Sequence, residues 1–507
     1  MTGSSTAQAV SSTRDLWTVA RFAPLQVAVL LVLLSAGGVL ETVRLTALAS
    51  PDVWRHLSAG NWILDHRSVP HNILFSQDAQ LPWVASSWLF DALTAAAVKL
   101  FGLRGLPLLD MAFKFAIGVA LFVLARGARR RFWSGVVLSA IALYLFAGFP
   151  LRSSIASVLL FAVALTLIMK VRPTGNPRVL YFLPPLFLLW ANLDVQFVYG
   201  LMALFLLLMA EAVEAFFQRS PSARLESHGL RISFRTIAAV TAASIAATLC
   251  NPYGFRLWGA ALRSVSVFAA DFYIPEMHSL RFRQPQDYVL LLLVMTAFFA
   301  IGRRHVRDLF SLLLLLACAI ISFHLQRDSW LVAIAAVAVL AQTLDATASE
   351  DALSLNTPSP AWVLPAAGVA ALIVLMVAFA IRVPAGRDAL LAKISEKFPV
   401  RVCDYIRQHD LPKPLFNTYD WGSFLTWYLP EYPVAIDNRT DAYGEDLTLG
   451  YFKLAAGQVP LAADPALSRA STILLEADSE MGKALSILPG YKQVYLDDQA
   501  MVLVHGN

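Results

Sequence analysis

Residues 24–62 read PLQVAVLLVLLSAGGVLETVRLTALASPDVWRHLSAGNW. The first part is an apolar run, long enough at 1.5 Å per residue to match a bilayer's hydrocarbon core. The second opens on Pro51-Asp52 and turns amphipathic. A membrane span therefore ends here, and a juxtamembrane helix begins. Apolar runs of 16 to 24 residues recur from Leu25 to Ile381, separated by short charged clusters. Of 507 residues, 58% are hydrophobic and 15% charged, where a soluble domain carries about 25% charge. The pattern predicts an all-α polytopic membrane domain with about 11 crossings. They fall at 24–47, 106–125, 132–149, 152–169, 178–193, 196–217, 233–250, 288–302, 307–323, 328–344 and 360–382.

A shorter helix over 84–101, carrying Ser86, Ser87 and Asp91, is too polar for a plain span and reads as re-entrant or interfacial. The chain divides into a tail at 1–23, a membrane domain at 24–383 with a long loop at 48–83, and a small α/β domain at 384–507. No span-length run follows Pro384. Strands are expected at Pro414–Asn417, Pro433–Asp437, Ser471–Leu475, Lys492–Leu496 and Met501–His505, with a helix at Trp421–Leu429.

Orientation follows from basic residues, which concentrate in cytoplasmic loops. Alternate loops hold Arg126, Arg129, Arg130 and Arg131; Lys170, Arg172 and Arg178; Arg219, Arg224, Arg231 and Arg235; and Arg303, Arg304 and Arg307. The intervening loops hold Arg152 alone, none near Asp194, and Arg327 alone. The loop 250–287 departs from the trend, with Arg256, Arg263, Arg281 and Arg283. The clusters face the cytoplasm in this reading. The loop 48–83 and the C-terminal domain then lie outside the cytoplasm of a bacterial inner membrane. A cysteine placed at Tyr419 should react with a membrane-impermeant maleimide in intact cells, and one at Arg303 only after permeabilisation; the opposite pattern would overturn this topology.

Cys250, Cys318 and Cys403 are too few and too scattered for a disulfide framework or a zinc site. The first apolar run is too long for a cleavable signal peptide, and no small-residue cleavage pattern follows it. The net charge of +5 does not point to nucleic acid, because the arginines are explained by topology.

Chemistry concentrates in the loop 48–83. Asp52 suits a helix N-cap. Trp54, Leu57, Ile63 and Leu64 suit a membrane interface. Asp52 and His56 stand i, i+4 and share a face, so they can serve as general base or metal ligands. A capping aspartate beside a solvated histidine has the same spacing. Glu41 and Arg44, i, i+3 at the end of the first span, suit an ion pair. Arg152 and Arg327 stand at span boundaries, where a guanidinium matches a phosphate or snorkels to the interface. Asn251-Pro252-Tyr253-Gly254 is a turn, and Asp437 with Arg439 reads as a structural pair.

Several stretches together resemble a known superfamily. They are Asp52-x-Trp54-x-His56-Leu57-x-x-Gly60, Trp88-Leu89, Leu189-Trp190-Ala191-Asn192, Asn251-Pro252-Tyr253-Gly254, and Asn417-x-Tyr419-Asp420-Trp421-Gly422 with Ile436-Asp437-x-Arg439. They are similar to GT-C membrane glycosyltransferases, and more closely to a broad bacterial set of GT-C-like membrane proteins. The resemblance implies a GT-C-like fold and a polyprenyl-phosphate-linked sugar donor. It implies a lipid, glycan or protein acceptor, with membrane lipids around the site. It gives Asp52 the acceptor or metal role of the first loop's acidic residue. Where that set shows a histidine after Trp-Ala-Asn, this chain reads Leu193-Asp194, which reverses the charge preference at that position. The loop has no Asp-x-Asp pair, so a tightly held divalent metal is not indicated, and a loosely held one stays open. The expected site comprises Asp52 and His56 for catalysis, with Arg152, Asn192, Asp194 and Arg327 for substrate. A transporter or flippase for a lipid-linked glycan would instead need ionisable residues deep in spans and inverted repeats. Glu41, Asp110, Lys114, Glu211 and Glu214 lie mostly near span ends, and no repeat is visible. A non-catalytic scaffold displaying the C-terminal domain is the third reading.

Overall fold

A computed structural model describes residues 4–128, 131–218, 233–265, 272–303, 308–347 and 359–506. Arg129, Arg130, Arg219, Arg224, Arg231, Arg304 and Arg307, read above as cytoplasmic, lie outside the described residues.

The membrane domain is helical throughout. Its helices are α1 Ser4–Arg44, α2 Pro51–His66, α3 Trp88–Phe101, α4 Gly105–Ala125, α5 Phe132–Leu145, α6 Ser154–Thr174 and α7 Leu183–Leu193. They continue with α8 Phe197–Gln218, α9 Phe234–Thr248, α10 Arg256–Val265, α11 Pro285–Gly302, α12 Leu309–His324, α13 Ser329–Thr347 and α14 Val363–Arg382. Among the described residues, 7 segments are long and apolar enough to cross a membrane. One of them, Trp88–Ala125, contains both α3 and α4. The shorter α5, α7, α9 and α12 lie where the remaining crossings were expected. The chain is a multi-pass membrane protein with a small α/β domain at its C-terminal end.

Burial sorts the helices. From Trp330 to Ala341 every residue of α13 is buried, as for a helix that is apolar all round and central in its bundle. α14 instead leaves Val369, Ile373, Met376 and Ile381 exposed, a face suited to lipid. Glu41 does not pair with Arg44, which is exposed. Its carboxylate accepts from the Ala47 amide at 2.9 Å, from Thr46 Oγ1, and from Lys114 Nζ of α4 at 3.2 Å. Lys114 also pairs with Asp110 at 2.6 Å. Burying a carboxylate is costly unless it is hydrogen-bonded, and the turn leading into α2 supplies two of the donors.

The C-terminal domain holds α15 Arg387–Ile394, α16 Val400–Gln408, β1 Leu415–Asn417, α17 Tyr419–Tyr428, α18 Thr440–Ala455, α19 Pro465–Arg469, β2 Thr472–Glu476, α20 Glu480–Ser486, β3 Tyr491–Leu496 and β4 Ala500–His505. The sheet order is β1-β2-β4-β3, with β1 parallel to β2 and the other pairings antiparallel. The strand expected at Pro433–Asp437 is not one. Val434 makes single bridges to Leu415 and to Ser76, so this segment links the domain to the loop 48–83.

The Trp54 and Leu57 face of α2, expected at a membrane interface, is instead packed against protein. Trp54 and Leu57 are fully buried, because the C-terminal domain covers this helix. The Trp54 ring stacks on Trp427 at 4.5 Å and meets Phe424 and Phe398 edge-on. Val434 exchanges backbone bonds with Phe75 and Gln77, each at 2.9 Å. The buried Arg439 pairs with Asp437 as expected and also donates to the Leu74 carbonyl at 2.6 Å. Apolar area, main-chain bonds and a buried charge thus all hold the domain against the mouth of the helix bundle.

Candidate functional site

The site begins with the local structure of α2. Ser50 is the N-cap, with extended backbone and no side-chain cap bond. Pro51 takes the first helical position, where a missing N–H costs nothing. Asp52 is therefore not the cap but a first-turn residue, where the helix dipole favours a carboxylate. Released from capping, its Oδ1 accepts from Asn438 Nδ2 of the C-terminal domain.

One turn on, the helix meets α3. A Cβ at Gly60 would lie 2.0 Å from the Asp91 carbonyl oxygen, so only glycine permits this approach. The close packing brings His56 Nδ1 to 2.5 Å from Asp91 Oδ1, with both side chains fully buried. Ser87 Oγ donates to the same oxygen at 3.3 Å. The Ser153 amide donates to His56 Nε2 at 3.3 Å. A ring that donates at Nδ1 and accepts at Nε2 is neutral. Burial lowers the pKa of His56, Arg55 lowers it further, and the Asp91 contacts oppose. Residues i and i+4 differ by about 40° around a helix, enough to turn Asp52 to open space and His56 to the interior. His56 does not line the cavity described next; it ties α2 and α3 to the segment carrying Arg152 and Ser153.

That cavity, of about 1080 Å³, lies between the helix bundle and the C-terminal domain. Asp52, Arg152, Asp194 and Arg327 all line it. The bundle side also contributes Arg55 and Arg263, and the C-terminal domain contributes Lys397, Tyr419, Asp420 and Asp441. Arg152 pairs with Glu276 at 2.6 Å, donates to Ser154 Oγ at 2.9 Å and lies over the Phe149 ring. Arg327 donates to the Ser264 carbonyl at 2.8 Å, with its Nε 3.6 Å from Asp328. Asp328 itself is held by Gln196 Nε2 at 2.7 Å and Tyr199 OH at 2.5 Å.

Asp194 is held by the hydroxyls of Ser153 at 2.8 Å and Ser157 at 2.5 Å. Burial raises its pKa, and these hydrogen bonds pull the other way. His56, Ser153, Asp194, Ser157 and Trp190 thus form a connected hydrogen-bonded series that runs from the cavity wall into the interior. Asn192 lies apart from the cavity. Its Oδ1 accepts from Trp88 Nε1 at 2.9 Å, and its Nδ2 donates to the carbonyls of Leu188 and Cys250. These bonds occupy its amide in joining α3, α7 and the end of α9.

Asp420 and Asp441 face the cavity, and protein surrounding their carboxyls raises both pKa values. For Asp441 the nearby Arg55 and Arg439 oppose the rise. Tyr273 stacks on Phe452 at 5.2 Å, and Tyr419 meets the same ring at 5.0 Å. The cavity therefore joins guanidinium groups on the bundle side to carboxyls and ring faces on the domain side. Arg55, Lys397, Asn438 and Asp441 were not singled out in the sequence. Arg55 and Asn438 lie inside the quoted motifs, at positions written as arbitrary. Among the described residues, no three His, Cys, Asp or Glu side chains gather as a metal-ligand set.

No protein-family model and no curated protein matches the chain. Among solved structures, ArnT from Cupriavidus metallidurans, crystallised with undecaprenyl phosphate, is similar over 95% of this chain and 97% of its own. The identity is 14% and the TM-score 0.49.

Proposed function

We propose that the chain is a membrane glycosyltransferase that moves a sugar from a polyprenyl-phosphate carrier to an acceptor in this cavity. The observation that carries the reading is that Asp52 shares one cavity with Arg55, Arg152, Arg263, Arg327 and Lys397. The acceptor hydroxyl oxygen attacks the sugar's anomeric carbon. Its proton passes to the Asp52 carboxylate, within hydrogen-bond reach of about 2.6–3.2 Å. The bond from the anomeric carbon to the phosphate oxygen breaks, and the phosphate leaves with the electron pair. Arginines suit that leaving group because a guanidinium meets a phosphate through paired, charge-assisted bonds. The isoprenoid tail stays between apolar helices, which only a site at the bundle mouth allows.

Farnesyl phosphate, a short carrier without sugar, tests the phosphate end. Purified protein should bind it saturably, and Arg327→Gln should weaken binding about tenfold or more, as for loss of a charged hydrogen bond. No saturable binding above the detergent background, or an affinity unchanged from the parent protein in both Arg152→Gln and Arg327→Gln, would overturn the reading.

A further inference from the structure

The four arginines of the loop 250–287 run against the basic bias of the other loops on that side. Two of them sit on α10, and the structure shows why they cluster. α10 lies between α9, which ends at Thr248, and α11, which begins at Pro285. Both neighbours are apolar, with α11 long enough to cross. The helix therefore lies at the ends of these two neighbours, and it packs on α18 of the C-terminal domain.

α10 is two-faced. Leu257, Ala260 and Ala261 are buried against the protein. Arg256 and Arg263, one heptad apart, are exposed along the flank of that buried face. Immediately beside them, Phe255 is 77% and Leu262 61% exposed, again one heptad apart. Phe272, beyond the helix, is 76% exposed. Phe255 with Leu262 forms one exposed row and Arg256 with Arg263 a second, about 100° around the helix; together they make a broad exposed stripe that fits neither plain water nor the hydrocarbon core. They fit the headgroup boundary, where rings enter the acyl region and guanidinium groups meet phosphates. Arg152 and Arg327, by contrast, are turned inward onto Glu276 and the Ser264 carbonyl.

We propose that the exposed stripe of α10 docks on the membrane surface and collects anionic phospholipid there. Phe255 and Leu262 enter the acyl boundary, and Arg256 and Arg263 hold headgroup phosphates. Arg263 also lines the cavity. The docked helix thus anchors one rim of the cavity to the leaflet beside it. This proposal stands without any transfer reaction, so its failure would leave the catalytic reading untouched.

The test uses the full chain in vesicles of phosphatidylcholine and phosphatidylglycerol, with Cys250→Ser as background. A bimane fluorophore is attached at Phe255→Cys, and at Asp446→Cys as an exposed control on the C-terminal domain. Doxyl-labelled phosphatidylcholine and doxyl-labelled phosphatidylglycerol are compared as quenchers at equal mole fraction. The label at 255 should be quenched by both, and about fivefold more effectively by the anionic lipid, as for one arginine near a charged surface. Adding Arg256→Gln should reduce that preference, and adding Arg256→Gln with Arg263→Gln should bring the two quenchers close to parity. The control label should be quenched by neither. A label at 255 that is quenched no better than the control would overturn membrane docking. Equal quenching by both lipids in the parent protein would overturn the anionic preference.

Discussion

Replacing Asp52 with asparagine should reduce sugar transfer by roughly 10²- to 10⁴-fold, the range over which a positioned general base contributes. Asparagine keeps the shape and can still accept from Asn438, so the interface with the C-terminal domain should survive. Thermal stability and farnesyl phosphate affinity should stay near those of the parent protein. The measurement is surface-glycan complementation in a strain lacking the protein, alongside a melting curve of the purified variant. Activity within twofold of the parent would remove Asp52 from the chemistry and favour a scaffold. Loss of both activity and melting temperature would instead assign Asp52 to domain docking.

A large loss of stability should come from Gly60→Ala. A methyl group there would lie 2.0 Å from the Asp91 carbonyl and 2.8 Å from the Ala95 Cβ. Backbone cannot step aside as a flexible side chain can, so α2 and α3 must part. The cost should be about 3 kcal/mol or more, at or above the upper end for overpacking. Separation would also break the His56–Asp91 contact and leave both buried groups short of a partner. The expected readout is a large drop in folded protein recovered in detergent. A Gly148→Ala variant, where nothing stands in the way of a Cβ, serves as the control. Equal recovery of the two variants would show that the helices approach less closely than described.

The helical membrane domain was legible because apolar runs must match a fixed thickness, and each expected crossing falls on a helix. The short helix expected at 84–101 runs from Trp88 to Phe101, and Asp91 within it holds His56. The role of α2 was not legible. Its Trp54 and Leu57 look the same in one dimension whether they face lipid or a protein domain. Only the long-range pairing of Val434 with the loop 48–83 decides between them, and no local spacing announces such a contact. The same limit applies to the site. Asp52, Arg152, Asp194 and Arg327 stand at helix ends, and helix ends on one side of a bundle converge. Asn438 and Asp441 come from the far end of the chain and reach the cavity only through domain docking. The pairing of Asp52 with His56 failed for a rotational reason, since one face of a short helix can divide between a cavity and an interior.

The cavity wall draws on residues from Thr46 to Ala455, almost the full span of the chain. During synthesis the bundle is inserted long before its last wall residues leave the ribosome. Through that interval Trp54 lacks the rings that later enclose it, and the backbone at Phe75 and Gln77 waits for Val434. A chain released after α14 would be inserted yet would have half a cavity, an uncovered tryptophan and no partner for Asp52. A complete cavity therefore requires the domain after α14 to fold back onto a loop made near the beginning.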